Sequence, residues 1–351
     1  MPTIAFEDLE IVTRDIFQAS GVSADGAAWM AQLLVRSNLR GHDSHGVIRI
    51  PQYIASWRKG DANPKAEPRV IQEGPGTALI NGNLGFGQII AKHGMELAMD
   101  KASAVGVSAV GIFNCNHIGR LADYAEMACE RDMIALVTVN NSGAGQRMAP
   151  WGGRAPRLST NPVAFASPAK KATPISIDIS STVVAEGKIR VKRNRQEQIP
   201  LGWVLDADGN PTTDQNAIYR DPPGTILPVG GHKGYGLALM GEILSGILAR
   251  AGHVTESPGI LRNGVFMTVF DIARFVSPAT FRAEVDDLIR YLKTCPTIPG
   301  TDNILIPGEP ELFVEAERRK SGIFVEHETW RQIEEIARGF GVALPNASIS
   351  S

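Results

Sequence analysis

The chain has 351 residues, 43% hydrophobic and 21% charged, with a formal charge of −2 at neutral pH. These totals suit a globular protein that buries a sizeable core in two lobes or one large domain. They argue against nucleic acid as the partner, and no apolar stretch is long enough to span a membrane.

Taken in chain order, residues 5–19 put Leu9, Val12, Ile16 and Phe17 on one helical face, and Gly21 ends the run. Ser23 is a cap for a second helix through Trp29 to Leu39, and a third is expected from Ile50 to Trp57. Pro64, Pro68 and Pro75 mark an extended connector. A short strand, Thr77 to Ile80, leads through a turn to Gly85-Phe86-Gly87, which opens a helix. Val107 to Phe113 reads as a buried strand that delivers Asn114 to His117; helical periodicity resumes from Ile118 to Cys129. Ile134 to Val139 is another strand, residues 146–168 are too rich in Pro and Gly for regular helix, and Ile175 to Ile179 is a further strand. Residues 196–232 are loops and short extended pieces. Lys233 to Arg250 is expected as a long helix with Leu237, Met240, Leu244, Ile247 and Leu248 inward. Val265 to Phe270 is a strand, Ser277-Pro278 starts a helix to about Leu292, and a last helix spans about Thr329 to Arg338, stopped by Gly339. The alternation is imperfect, which predicts a mixed sheet wrapped by helices.

Residues 40–51 concentrate the chemistry: two histidines, an aspartate, a serine and an arginine follow the end of a helix. His45 is a candidate proton-transfer group, because imidazole titrates near neutral pH. Arg49 can clamp a carboxylate through two parallel hydrogen bonds. Such a pair suits a small organic acid with a reacting carbonyl or hydroxyl. The plain alternative is a capping turn with incidental histidines. His117, at the end of a buried strand among Asn114, Asn116 and Arg120, reads as part of a polar pocket rather than as a core histidine. His42 and His45 lack an evident third metal ligand.

Two stretches imitate a dinucleotide-binding turn and fail it: Gly143-Ala144-Gly145 is followed by Met148, and Gly85-Phe86-Gly87 by Ile90, where a third glycine belongs. The turn Gly230 to Gly236, with His232 and Lys233, is better suited to phosphate, since a glycine-rich helix start offers free N–H groups and a positive dipole end. Lys188 to Arg195 holds five basic residues, either a solvated face or a phosphate contact. Pro307-Gly308-Glu309-Pro310 and Thr160-Asn161-Pro162 are turns, and Asp178 ends an apolar strand where its carboxylate needs a partner or solvent. Cys115, Cys129 and Cys295 show no paired spacing and read as reduced thiols. The N-terminus has no basic start and apolar run of a signal peptide, so a cytoplasmic location is expected.

Together the segments at 41–49, Asn116-His117-Ile118-Gly119, Ala149 to Gly153, Ser159 to Pro162, Ile177 to Ser180, Ile199 to Trp203, Pro211-Thr212, Gly230 to Leu237 and Ile306 to Glu309 resemble the type-2 malate/L-lactate dehydrogenase family, in order and over nearly the whole chain. That resemblance implies a non-Rossmann α/β fold with a mixed, largely antiparallel sheet enclosed by helices. It implies hydride transfer between NAD or NADP and a 2-oxo/2-hydroxy acid, or alternatively a cyclic imino acid, by a homodimer. It makes His45 the general acid, with His117 lining the same cleft as the other candidate proton donor. Ser44, Arg49 and Thr160 then hold the substrate. Asn141, Asp178, Ile179, Ser180, His232, Lys233, Pro307, Gly308 and Glu309 hold the cofactor. The expected division is an N-terminal helical segment, 1–75; a sheet core, 76–312; and a C-terminal helical segment, 313–351, packing with the first. Residues 189–198 are more basic than is usual for the family here, and Asn116 to Arg120 is similar to its hydroxycarboxylate dehydrogenase branch. Outside the family, a metal-dependent hydrolase or lyase built on His42, Asp43 and His45, or a silent ligand-binding protein, are the competing classes.

Overall fold

The computed structural model describes residues 2–143, 145–255, 262–345 and 348–349. A short strand, β1 (Pro2–Ile4), precedes helices α1 (Phe6–Ala19), α2 (Ala24–Leu39) and α3 (Ile50–Arg58). Strands β2 (Arg69–Glu73) and β3 (Thr77–Asn81) lead to α4 (Gly87–Val105), β4 (Val107–Cys115), α5 (Ala122–Cys129), β5 (Met133–Ser142), β6 (Val163–Ser167) and β7 (Ile175–Ile179). Helix α6 (Glu186–Asn194) is followed by β8 (Val204–Leu205), β9 (Pro211–Thr212) and β10 (Thr225–Ile226). Helix α7 (His232–Gly241) continues as a π-helical segment, Glu242–Leu248. Then come β11 (Arg262–Asp271), α8 (Pro278–Lys293), α9 (Glu309–Ser321), β12 (Ile323–Phe324), α10 (His327–Phe340) and β13 (Ser348–Ile349).

The central sheet has the order β2-β3-β4-β11-β5-β6-β7. Only β3 and β4 pair in parallel; the other neighbours are antiparallel. The sheet is therefore mixed and largely antiparallel, as expected, and it is not a doubly wound one. The period of two along β5 gives it two different faces. Met133, Ala135, Val137 and Val139 face the apolar cluster with Met95, Tyr124 and Met267. Thr138 and Asn140 face the opposite way, where Thr138 Oγ1 meets Ser245 Oγ at 2.7 Å and Asn140 Nδ2 reaches Glu242.

The two chain ends share a second core. Leu9, Val12, Ile16 and Phe17 of α1 are buried, the stripe read from periodicity, and they pack in one cluster with Trp330, Ile333 and Ala337 of α10. Full burial of such a side chain contributes about 1.5–3 kcal/mol. Strand β1 also pairs with β12, Thr3 opposite Phe324. A third, small cluster joins α6 through Ile189 to Val204 and Ile226 of the β8–β10 sheet.

Several expectations need correction. Along α7 and the π-helical segment the buried residues are Gly234, Ala238, Gly241, Glu242, Ser245 and Gly246, whereas Ile247 and Leu248 are exposed at 59% and 57% and Leu237, Met240 and Leu244 are only half-buried. The close approach to β5 is made by small residues on the inner face, around Glu242, which accepts from Asn140, Asn161 and the Val254 N–H. Helix α9 was legible only as a turn, because it has no buried stripe. Charge holds it instead: Arg40 Nε bonds Glu315 at 3.0 Å and Arg318 Nη1 bonds Asp43 at 2.6 Å. Strands β2 and β6 and helix α6 lie where connectors, loops or a basic run were read. The last helix runs through Gly339 and ends at Gly341. Of the loop motif at 143–145, Ala144 lies outside the described residues.

Candidate active site

Residues 43–49 form two consecutive 3₁₀ turns, Asp43–His45 and Val47–Arg49, joined at Gly46. Asn38 of α2 organises them: its Oδ1 accepts the Val47 N–H at 2.8 Å, and its Nδ2 donates to Asp43 at 2.7 Å. A Cβ on Gly46 would fall on the Asn38 amide, so only glycine fits there. The chain then folds back. Arg49 Nε donates to the Ser44 carbonyl at 2.7 Å and Nη1 to Gln52 Oε1 at 2.7 Å, which sets the guanidinium beside His45. Ser44 Oγ lies 3.1 Å from His45 Nδ1.

His117 comes from the loop after β4. That loop is anchored by Asn116 Nδ2, which donates to the Leu84 carbonyl at 2.7 Å, and by Ile118 N–H, which donates to Asn263 Oδ1 at 3.0 Å. The start of α4 presses on it so closely that a Cβ on Gly87 would overlap the Asn116 and His117 carbonyls. Gly85-Phe86-Gly87 therefore serves close packing. His45 and His117 stack with ring centroids 5.7 Å apart and planes 20° apart. Gln88 Nε2 donates to Tyr53 Oη at 2.8 Å, and Tyr53 Oη lies 2.7 Å from His117 Nδ1. With Gln88 donating, the phenol proton goes to Nδ1, which places the His117 imidazole proton on Nε2.

The electrostatics follow from surroundings rich in protein and cations. Desolvation, then Arg49, His42 and Arg120, push His45 down to about 3. Desolvation, Arg49 and His45 hold His117 well below its ordinary value. Burial pushes the Tyr53 phenol up to about 12. At neutral pH the cluster is thus two neutral imidazoles beside an arginine whose protein partners are neutral oxygens.

The other expected residues are placed as follows. Asp178 is pushed up to about 6 by desolvation, against the Ala122 N–H and Arg120; its carboxylate accepts that N–H at 2.9 Å and so caps α5. Ile179 is exposed on the other face of β7. Ser180 Oγ and Ser181 N–H both reach the Thr160 carbonyl, at 3.3 and 3.0 Å. Asn141 donates to Ser159 Oγ and accepts from Asn263 Nδ2 at 2.6 Å, so it braces the His117 loop through Asn263. The Pro307 carbonyl accepts the Ser176 N–H at 3.0 Å, which lays the Pro307–Gly308 turn along β7. Glu309 is committed to that turn, accepting the Ile306 N–H at 2.9 Å and pairing with Lys293 at 2.6 Å. His42 pairs with Glu311 at 3.4 Å, and among the described residues no group of three His, Cys, Asp or Glu side chains is arranged to hold a metal.

The glycine-rich turn meets the end of β7. Gly230 and Gly231 have φ of +58° and +64°, and a Cβ on Gly234 would overlap the Ser181 carbonyl. His232 and Lys233 project into solvent at the first turn of α7, and the space beside Gly236 is open. The Gly231, Lys233, Gly234 and Tyr235 N–H groups are taken by backbone carbonyls, so it is the exposed His232 and Lys233 side chains and the positive end of the helix that suit a nucleotide phosphate. The structure therefore gathers Ser44, His45, Arg49 and His117 into one cluster, and Thr160, Ser180 and the Lys233 turn into a second, contiguous assembly. Tyr53, Gln88, Asn38 and Asn263 escaped the sequence reading. Gln88 left one trace, an amide on an otherwise apolar helical stripe.

A profile of the malate/L-lactate dehydrogenase family matches residues 4–334. The chain belongs to the malate/L-lactate dehydrogenase family. It is 34% identical over 340 residues to the L-lactate dehydrogenase of Cupriavidus necator, covering 96% of this chain and 97% of that one. It is 36% identical over 344 residues to the L-sulfolactate dehydrogenase of Methanothermobacter thermautotrophicus, covering 96% and 97%. Among solved structures, sulfolactate dehydrogenase from Methanocaldococcus jannaschii aligns with a TM-score of 0.87 at 34% identity, over 97% of this chain and 98% of that one. The Δ1-piperideine-2-carboxylate reductase of Pseudomonas syringae aligns at 0.83 and 28% identity, over 96% and 100%. As a member of this family of pyridine-nucleotide-dependent enzymes, the chain is a hydroxy-acid dehydrogenase. No helix among the described residues is long and apolar enough to cross a membrane.

Proposed function

We propose that the chain interconverts a small 2-oxo acid and its 2-hydroxy acid, with His45 as the proton carrier and Arg49 as the carboxylate clamp. The observation that carries this reading is the pair of stacked neutral imidazoles beside an arginine that makes no ion pair among the described residues. NAD or NADP, held at the Lys233 turn, would supply or accept the hydride. Arg49 has guanidinium N–H groups beyond the two that bind Ser44 and Gln52, and these orient the substrate carboxylate. A carboxylate there offsets one of the cations that depress His45, so the imidazole gains proton affinity as substrate binds. His45 then protonates the oxygen of the carbonyl, or takes the proton back in the oxidative direction. His117, its tautomer set by Tyr53, directs an Nε2–H donor into the same cleft and lowers the cost of charge on that oxygen.

Ser44 and Thr160 orient the substrate in this reading. Asp178, Ile179, Ser180, His232, Lys233 and the Pro307–Glu309 turn flank the cofactor, with Asn141 bracing from behind. The division at about residues 75 and 312, a cytoplasmic location and a homodimer are parts of the same proposal. The dimer is supported by the exposed Leu239, Ile243, Ile247 and Leu248 along one helical side. The relatives named for lactate, malate and sulfolactate act on acids with one or two anionic groups, so the family leaves that choice open.

The test is absorbance at the reduced-nicotinamide band, with NADH and NADPH in turn against pyruvate, oxaloacetate, 2-oxoglutarate and a cyclic imino acid. Oxidation by an oxo acid is the expected result. Oxidation by the imine alone would move the chain to reductase chemistry, and binding of neither nucleotide would end the proposal.

A further inference from the structure

A cavity of about 260 Å³ adjoins the histidine cluster. It is lined by His117 and Tyr53 of that cluster, by the apolar Phe86, and by Gln52, Ser56 and Asp61. Gln52 joins it to Arg49, whose Nη1 donates to Gln52 Oε1 at 2.7 Å. Among the described residues no lysine or arginine lines it.

The end of α3 places Asp61 there. Gly60, with φ of +79°, closes the helix: its N–H bonds the Trp57 carbonyl at 2.9 Å, and the Asp61 N–H bonds the Ser56 carbonyl at 2.9 Å. The Asn116 side-chain amide donates to the Asp61 carbonyl at 3.4 Å, so the His117 loop holds the same turn. The backbone of Asp61 is thus fixed, while its carboxylate makes no hydrogen bond or ion pair among the described residues. The position is electrostatically unfavourable, because the last carbonyls of a helix carry its negative end, where a cation is stabilised and an anion is not. The cations of the same turn do not answer it. Arg58 lies over the Phe340 ring, 5.7 Å from the centroid, and neither Lys59 nor Lys65 pairs with Asp61.

A carboxylate and a helix C-terminus at one cavity, with no cation between them, suit a positively charged ligand group. We propose that this cavity takes the substrate side chain and that Asp61 binds a cationic group at its end, an ammonium or a guanidinium. The preferred 2-oxo acid then carries opposite charges at its two ends, the carboxylate on Arg49 and the cation on Asp61, with the reacting carbonyl at His45 and His117. The Ser56 hydroxyl bonds nothing else among the described residues and accepts a further N–H of that group. The inference rests on the reading of Arg49 and His45 given above and deepens it.

The experiment compares kcat/KM for three 2-oxo acids that differ in their distal group: 5-guanidino-2-oxopentanoate, 2-oxohexanoate and 2-oxoadipate. Pyruvate is the acid without a side chain to fill the cavity. The enzymes are wild type, Asp61→Asn, Asp61→Lys and Asp208→Asn, the last an exposed acid that does not line the cavity. Wild type is expected to prefer the guanidino acid. Asp61→Asn should shrink that preference over 2-oxohexanoate by roughly 10- to 100-fold, the range set by a charged hydrogen bond. Asp61→Lys should move the preference to 2-oxoadipate, and Asp208→Asn should keep the wild-type ratios. A wild type that turns over 2-oxohexanoate as well as the guanidino acid, that turns over pyruvate alone, or whose ratios are unchanged by Asp61→Asn overturns this inference and leaves the oxo-acid reading standing. Turnover of none of the four acids removes that reading and this inference with it.

Discussion

In the proposed reaction His45 carries the proton, and two measurements address that role. Proton transfer by a positioned imidazole contributes roughly 10²–10⁴-fold, so His45→Ala should lose that much in kcat with an unchanged cofactor KM. Near-normal turnover would pass the role to His117. The second measurement uses the depressed pKa of about 3. Above the unfolded value of about 6.5 the imidazole is neutral in both states and contributes no pH dependence. As the pH falls below that value the unfolded chain binds a proton that the folded one refuses, so stability is lost progressively down to the folded pKa. Asp178, raised to about 6, acts in the opposite sense between its two pKa values, gaining stability as it protonates. Thermal melts of wild type and His45→Gln should therefore diverge less at pH 7 than at pH 5, with wild type falling further. Parallel curves would mean that His45 is protonated as easily as in the unfolded chain.

Among the elements, the join between the α7 turn and the end of β7 is the most constrained. Gly234 lies against the Ser181 backbone, and Val229 N–H bonds the Ser181 carbonyl at 2.9 Å. Gly234→Ala should lift the Lys233 turn away from Ser180. The expected outcome is a cofactor KM raised about tenfold or more, with the oxo-acid KM little changed, as small displacements of a positioning element cost that much. A melting temperature near wild type would confirm that the loss is local. Equal rises in both constants would show that the turn supports the whole cleft rather than the nucleotide. Helix α9 teaches a complementary lesson. It has acidic residues in the first turn and Arg318, Arg319 and Lys320 in the last, the arrangement that suits a helix dipole. Ion pairs to Arg40 and Asp43 then fasten it over the His45 segment.

For the whole molecule, one unpartnered apolar side among the described residues is the row Leu239, Ile243, Ile247 and Leu248, exposed at 43–59%. Large apolar side chains in a row at helical spacing call for a covering surface. Sedimentation is expected to give twice the chain mass of 37.7 kDa, and Ile247→Glu should shift it toward one chain mass and lower the melting temperature. A monomeric wild type would leave that row for another partner. The first and last helices share one core, and β1 pairs with β12, so the ends of the chain close a single lobe behind the active segment. That lobe supplies α2, whose Asn38 holds the His45 turns in shape.

Local order was written plainly. The stripe of α1, the capped start of α8 by Ser277 and the strand character of β4 and β5 are short-range properties, set by periodicity, capping and β-branched content. The cluster at 41–49 and the Lys233 turn were equally readable, because their chemistry lies within a few consecutive residues. Residues that act across the fold were not. Nothing local pairs Tyr53 with His117 or Asn263 with Ile118, since those bonds span 64 and 145 positions. The inner face of α7 was misread for a related reason. An apolar stripe marks which side a helix would bury, but the close approach to β5 is made by Gly241, Ser245 and Gly246 around a hydrogen-bonded Glu242, and the large apolar side chains turn outward. Sequence alone thus determined the amphipathic elements, the candidate site residues and the family. Tertiary structure decided which of those residues meet and what desolvates the histidines, because burial and long-range contact depend on the packing of distant segments.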